Sequence, residues 1–199
     1  MTYRIVLFLH VAGAIATFIG VAGWFFAVVA MRRVQRTSEV SSLAWIYEMA
    51  GVIGLTGILV VAASGLYMAA TVWGLSRDWV LVAIAAFAFM APVGPLMVSP
   101  RIELVIQLAR KSGEGPPPAE LAARQKDPIP KLGLLAVIGD LVGIVFIMTF
   151  KPGLVGSVAA VLVGVAFFEL LGLPAIGKSL SAAVDAVARL ERNNPLYRR

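Results

Sequence analysis

From Ile5 to Met31 the chain runs through 27 residues without one charged side chain. A helix rises about 1.5 Å per residue and a bilayer's hydrocarbon core is about 30 Å thick, so about 20 apolar residues suffice to cross it. In lipid every backbone N–H and C=O must be satisfied inside the chain, which leaves the helix as the only answer for an isolated apolar run. Arg4 precedes the run as a signal peptide's charge would. The apolar stretch, however, is nearly twice a cleavable core of about 7–15 residues, so it is expected to stay as a span.

Four further runs repeat the pattern. The spans are expected at about 4–31, 43–74, 79–109, 131–150 and 154–176, with a loop at 112–130 and an amphipathic helix over 178–192. The expected fold is therefore an all-α integral membrane bundle of five transmembrane helices, a single membrane domain over 1–199. With 60% apolar and 14% charged residues and a mean hydropathy of +0.90, the chain lies far from the roughly 25% charged content of soluble domains. No cysteine is present, which excludes disulfides, thiolate nucleophiles and metal sites built on sulfur from cysteine.

Proline and glycine punctuate the spans. Gly51, Gly54 and Gly57 allow close packing or a local bend in the second. Pro92, Pro95 and Pro100 predict a kinked third span facing protein, because each removes a backbone donor. Between Pro116-Pro117-Pro118 and Pro128-Ile129-Pro130 the segment Ala119 to Lys126 reads as a short surface helix, and Lys151-Pro152-Gly153 as a tight hairpin.

The net charge of +6 is explained by topology rather than by nucleic acid. With the N-terminus outside, 14 of the 17 Lys and Arg residues fall on the cytoplasmic side and only Arg4, Arg77 and Lys151 outside, as the bias of basic residues toward cytoplasmic loops requires. The expected place is the inner membrane of a cell, multi-pass, with the C-terminus in the cytoplasm. The expected partners are the lipid bilayer and either a membrane protein or a second copy, with no nucleic acid.

Ionisable side chains within spans are candidates for function, since lipid makes them costly. They are His10, Glu48, the Arg101/Glu103 pair, Asp140 and Glu169. Counting about 1.5 Å per residue, His10 lies about 9 Å and Asp140 about 16 Å from the outer face, while Glu48, Arg101 and Glu169 lie about 10–14 Å from the inner one. A buried polar network of Glu48, Arg101, Glu103, Asp140 and Glu169 follows, with Arg101 paired to Glu48 or Glu169. It reads either as helix-registering pairs or as a proton or ion path. Asp140 shares its face with Gly133, Ala136 and Gly143, which suits interhelical hydrogen bonding. His10, the one histidine, shares its face with Gly13, Ala14, Thr17, Val21 and Trp24, and this face should point into the bundle.

Leu9-His10-Val11-Ala12-Gly13-Ala14, with Phe18-Ile19-Gly20 and the basic pair Arg32-Arg33, resembles the opening of an uncharacterised bacterial family of small integral membrane proteins, a domain of unknown function. More distantly it resembles the first helix of copper-resistance D proteins and of the HemJ-type protoporphyrinogen oxidase. The resemblance covers about thirty residues and implies haem or copper chemistry with His10 as a ligand. Met68, at a similar depth on the second span, completes a His/Met set of the kind that holds haem or copper(I). The chain departs from those relatives in having no second histidine. No phosphate loop, Ser/His/Asp set or HExxH motif is present. The leading expectation is thus a non-enzymatic membrane protein with a packing, transport or partner role, and the alternative is a haem- or copper-binding redox protein using His10 and Met68. No cofactor or metal is fixed by these residues, and whether the chain is an enzyme stays open.

Overall fold

The computed structural model describes residues 1–172. Among them it holds α1 (Thr2–Met31), α2 (Thr37–Met68), α3 (Asp78–Met90), α4 (Ser99–Lys111), α5 (Ala119–Gln125) and α6 (Ile129–Phe150), followed by α7 (Leu154–Gly172), and no strand. Two π-helical stretches interrupt the regular hydrogen bonding: Ala69–Trp73 prolongs α2, and Val93–Val98 joins α3 to α4. Joined across these stretches, five helices are long and apolar enough to cross a membrane: Thr2–Met31, Thr37–Trp73, Asp78–Lys111, Ala119–Phe150 and Leu154–Gly172. The chain is an all-α membrane bundle, as its apolar runs require. The amphipathic helix expected over 178–192, and the end of the span expected over 154–176, lie outside the described residues.

Antiparallel α1 and α2 form the tightest pair, and the reason is the size of the residues between them. A Cβ on Gly20 would run into the Gly54 backbone, one on Gly57 would stand 2.5 Å from the Thr17 nitrogen, and one on Gly13 would stand 2.9 Å from a Val60 methyl. In lipid, where apolar burial gains little, such backbone approach supplies the packing that joins helices. The His10 side of α1 does face α2: Gly13, Thr17 and Val21 are all buried. The α6–α7 contact repeats the device, with Gly139 against Gly164 and Gly143 against Val161.

The proline-rich third span loses its regular α-helical hydrogen bonding midway. α3 stops at Met90, and after Pro92 the chain takes the π stretch Val93–Val98 before α4 resumes at Ser99. Pro100 follows at the start of α4, directly after the π stretch, and adds a third missing backbone donor. The break is covered by protein on one side only: Gly94 lies against the Trp24 ring and Val93 and Val98 against Gly133 of α6, whereas Pro92, Pro95 and Pro100 are exposed, so the prolines themselves do not face protein as expected.

Thr37–Trp73 and Asp78–Lys111 outrun the membrane. Glu48 lies 25 residues before Trp73, about 37 Å along a helix, and Arg101 lies 22 residues after Trp79, about 33 Å, both beyond a core of about 30 Å. The surplus turns build a cap with α5. Leu121, fully buried, packs with Val40, Val105 and Ala109, while Thr37 Oγ1 donates to the Gly113 carbonyl at 2.5 Å and Gln125 Nε2 to the Met31 carbonyl at 3.0 Å. The expected loop 112–130 is thus a tied-down element.

Candidate functional site

The polar residues singled out by sequence do not assemble into one network. Arg101 pairs with neither Glu48 nor Glu169; its Nε meets Asp127 Oδ2 at 3.3 Å, and its Nη1 donates to the Met97 carbonyl at 2.7 Å. Glu48 instead meets Arg110 at 3.5 Å, both side chains exposed. Glu103 is exposed, and Glu169 is half-buried on α7. The physical reason is the length of α2 and of the α3–α4 span, which carries Glu48, Arg101 and Glu103 out to the charges of the cap. Asp127 anchors that end: it accepts from Ile129 N at 3.0 Å, and its carbonyl accepts from Arg32. Burial holds the Arg32 guanidinium below its ordinary pKa, with the Asp127 charge acting in the opposite sense.

Asp140 is the exception. It lies 11 residues before Lys151 on α6, about 16 Å along the helix and so near the middle of a hydrocarbon core. Only 2% of it is exposed, and Oδ1 is buried with no hydrogen-bond partner. The interhelical hydrogen bond expected of it is not made. Glycines on its own helix bring α7 close without offering a donor, since Gly139 and Gly143 meet Gly164 and Val161. Two turns toward the cap, Gly133 lies against Val93 and Val98 of the π stretch. Beyond it the Tyr47 hydroxyl donates to Ser99 Oγ at 3.1 Å and Trp24 Nε1 to the Tyr47 carbonyl at 3.0 Å, with the two rings stacked at 5.6 Å.

His10 belongs to a different corner. Its Nδ1 lies 3.1 Å from Ser64 Oγ, and that hydroxyl donates onward to the Val60 carbonyl at 2.5 Å, so the imidazole Nδ1–H is the donor between them. This tautomer leaves the Nε2 lone pair free. The ring lies close against Gly65, where a Cβ would stand 3.0 Å from Cε1. Met68, buried, follows one turn after Ser64 on α2. His10 and Asp140 are not hydrogen-bonded to each other, and among the described residues no three His, Asp or Glu side chains gather as a metal site would need. Sequence reasoning missed Ser64 and Asp127. Ser64 sits opposite His10 once Gly20 and Gly54 set the antiparallel register, but nothing in the chain alone fixes that register.

A family model described as "Predicted integral membrane protein (DUF2269)" matches residues 4–152, well over half of the chain. The chain therefore belongs to this family of predicted integral membrane proteins. No curated protein and no solved structure matches it.

Proposed function

We propose that the bundle has a non-enzymatic role in transport, with Asp140 as the group that takes up and releases a proton or cation inside the membrane. What supports this reading is one observation: a carboxyl near the bilayer centre, 2% exposed, with an unpartnered oxygen. Such a group is stable there only as the neutral acid or with a cation or water beside it, because an isolated carboxylate in apolar surroundings is strongly disfavoured. In this reading the chain lies in an inner membrane, N-terminus outside and C-terminus in the cytoplasm, as the distribution of Lys and Arg favours.

Reconstitution in liposomes under a pH gradient tests the role. Proton or cation flux is expected, abolished by Asp140→Asn and retained in Glu48→Gln; a flux-free unmodified protein overturns it. Orientation is read separately by cysteines placed at Gly115 and Asn193 of this cysteine-free chain, which should label only from the cytoplasmic side.

A second reading rests on the His10–Ser64 bond. Ligand histidines are oriented by a hydrogen bond through the other ring nitrogen, and here Nδ1 is held while Nε2 is free. His10, with Met68 one turn beyond Ser64, fits one end of a haem or copper(I) site. An absorption spectrum with metal analysis of protein from its native membrane decides it: haem or stoichiometric copper lost in His10→Ala supports the reading, and a colourless, metal-free protein ends it.

A further inference from the structure

The end of the bundle opposite the cap carries a cleft that neither reading uses. The turn between α2 and α3 and the turn Lys151-Pro152-Gly153 border an open hollow of about 650 Å³. Trp73 and Trp79 wall it, their rings meeting edge to face with centroids 4.6 Å apart. Lys151 Nζ stands 4.0 Å from the Trp73 centroid and 5.7 Å from that of Trp79. The backbone under this lysine is unusual. Lys151 sits at φ 49° and ψ 50°, the left-handed conformation that normally ends a helix on glycine, and among the described residues no other non-glycine has a positive φ. A strained position filled by a residue whose side chain reaches the cleft points to that side chain.

The charges are equally uneven. Asp78 Oδ2 accepts from Leu154 N at 3.1 Å and so serves to cap α7. Arg77 folds back with Nε donating to the Trp73 carbonyl at 3.4 Å. Among the described residues neither Arg77 nor Lys151 has a carboxylate within 4 Å, since the ion pairs there are Arg101–Asp127 and Arg110–Glu48. α3 and α7 both start at this cleft and turn the positive ends of their dipoles toward it. Two cations and two helix N-termini thus face one acid that is already engaged. Ser76 adds a hydroxyl, and exposed Val72, Leu75, Leu154 and Val155 continue the rim onto the apolar flank of the bundle.

We propose that this cleft binds a phosphate group, held by Arg77 and Lys151, and that its source is an anionic phospholipid whose acyl chains lie along the apolar flank. Guanidinium and ammonium groups give phosphate oxygens charge-assisted hydrogen bonds, and Trp73 and Trp79 form the wall against which the headgroup rests. A belt of Trp and Lys at a membrane surface anchors a protein without selecting a lipid. Two cations without carboxylate partners among the described residues, beside a hollow, add a preference for an anionic headgroup.

The test is retention of lipid by the full-length protein, extracted in detergent and exposed to equal phosphatidylglycerol and phosphatidylcholine, read by native mass spectrometry. Phosphatidylglycerol should be retained at least fivefold over phosphatidylcholine. That preference should fall to near unity in the variant carrying both Arg77→Gln and Lys151→Gly, and stay in Arg4→Gln, which removes one charge elsewhere. Lys151→Gly suits the left-handed backbone, so its melting temperature should be kept and loss of lipid would not reflect unfolding. A parallel titration with inorganic phosphate, followed by tryptophan fluorescence, separates the sources: saturable quenching by phosphate that phosphatidylglycerol does not displace assigns the same site to free phosphate. Equal retention of both lipids with no response to phosphate, or an equal loss in Arg4→Gln, overturns the proposal.

Discussion

The cap and the opposite end of the bundle use the same side chains to opposite effect. At the cap, Arg101 is bound by Asp127, Arg110 by Glu48 and Arg32 by a carbonyl, over a small apolar core around Leu121. At the other end, Arg77 and Lys151 have no carboxylate within reach among the described residues, and two tryptophans stand beside them instead. A basic residue closed in by acids and packing holds structure. One left beside a hollow is available to a ligand. The contrast also separates Glu48, Arg101 and Glu103, which the long helices carry out to the cap, from Asp140, which stays in the middle with one oxygen unpartnered.

Four substitutions break or sharpen this contrast, from the largest effect to the smallest. Leu121→Ala empties the core of the cap and should cost about 3 kcal/mol in detergent unfolding, with residues 112–130 becoming open to protease; full protection would mean that the cap is not held by its core. Asp127→Ala removes at once the partner of Arg101 and the acceptor of Ile129 N. A loss of about 2 kcal/mol is expected, and a neutral outcome would show that the cap's ions are no more structural than those opposite.

Glu48→Gln should cost about 0.5 kcal/mol or less, because its pair with Arg110 is held at 3.5 Å between side chains 60% and 61% exposed. A larger loss measured by the same unfolding would place this pair in apolar surroundings and so move the membrane boundary toward the cap. Lys151→Gly should leave stability within about 1 kcal/mol, since relief of the left-handed backbone and loss of the cation–π contact are of similar size and opposite sign. A marked destabilisation would make this lysine structural, as Arg101 is at the cap.

Much of this was legible in the chain. The uncharged run from Ile5 to Met31 and the four that follow specify helices that span, and Lys151-Pro152-Gly153 specifies the turn into α7. The face of α1 that carries His10 was also legible, because small residues recur along it at helical spacing. Partners were not. Counting depth from the first apolar residue put Glu48 inside the membrane, whereas α2 begins at Thr37 and prolongs through a π turn to Trp73, so that the same residue meets Arg110 at the cap. Arg101 finds Asp127, which belongs to a segment that sequence alone reads as a loop. Trp73 and Trp79 lie far from Lys151 along the chain, and the three become a cleft only when two hairpin turns are set side by side.

The sequence by itself determined that this protein is a helical membrane bundle with five spans, because hydropathy and the need to satisfy every backbone group act on each segment separately. Which carboxylate meets which cation, and that Asp140 meets none among the described residues, was decided only in the tertiary structure. That choice depends on where glycines let helices touch and on where a helix ends, and each shift of one turn along a helix moves a side chain by about 5.4 Å, enough to make or remove an ion pair.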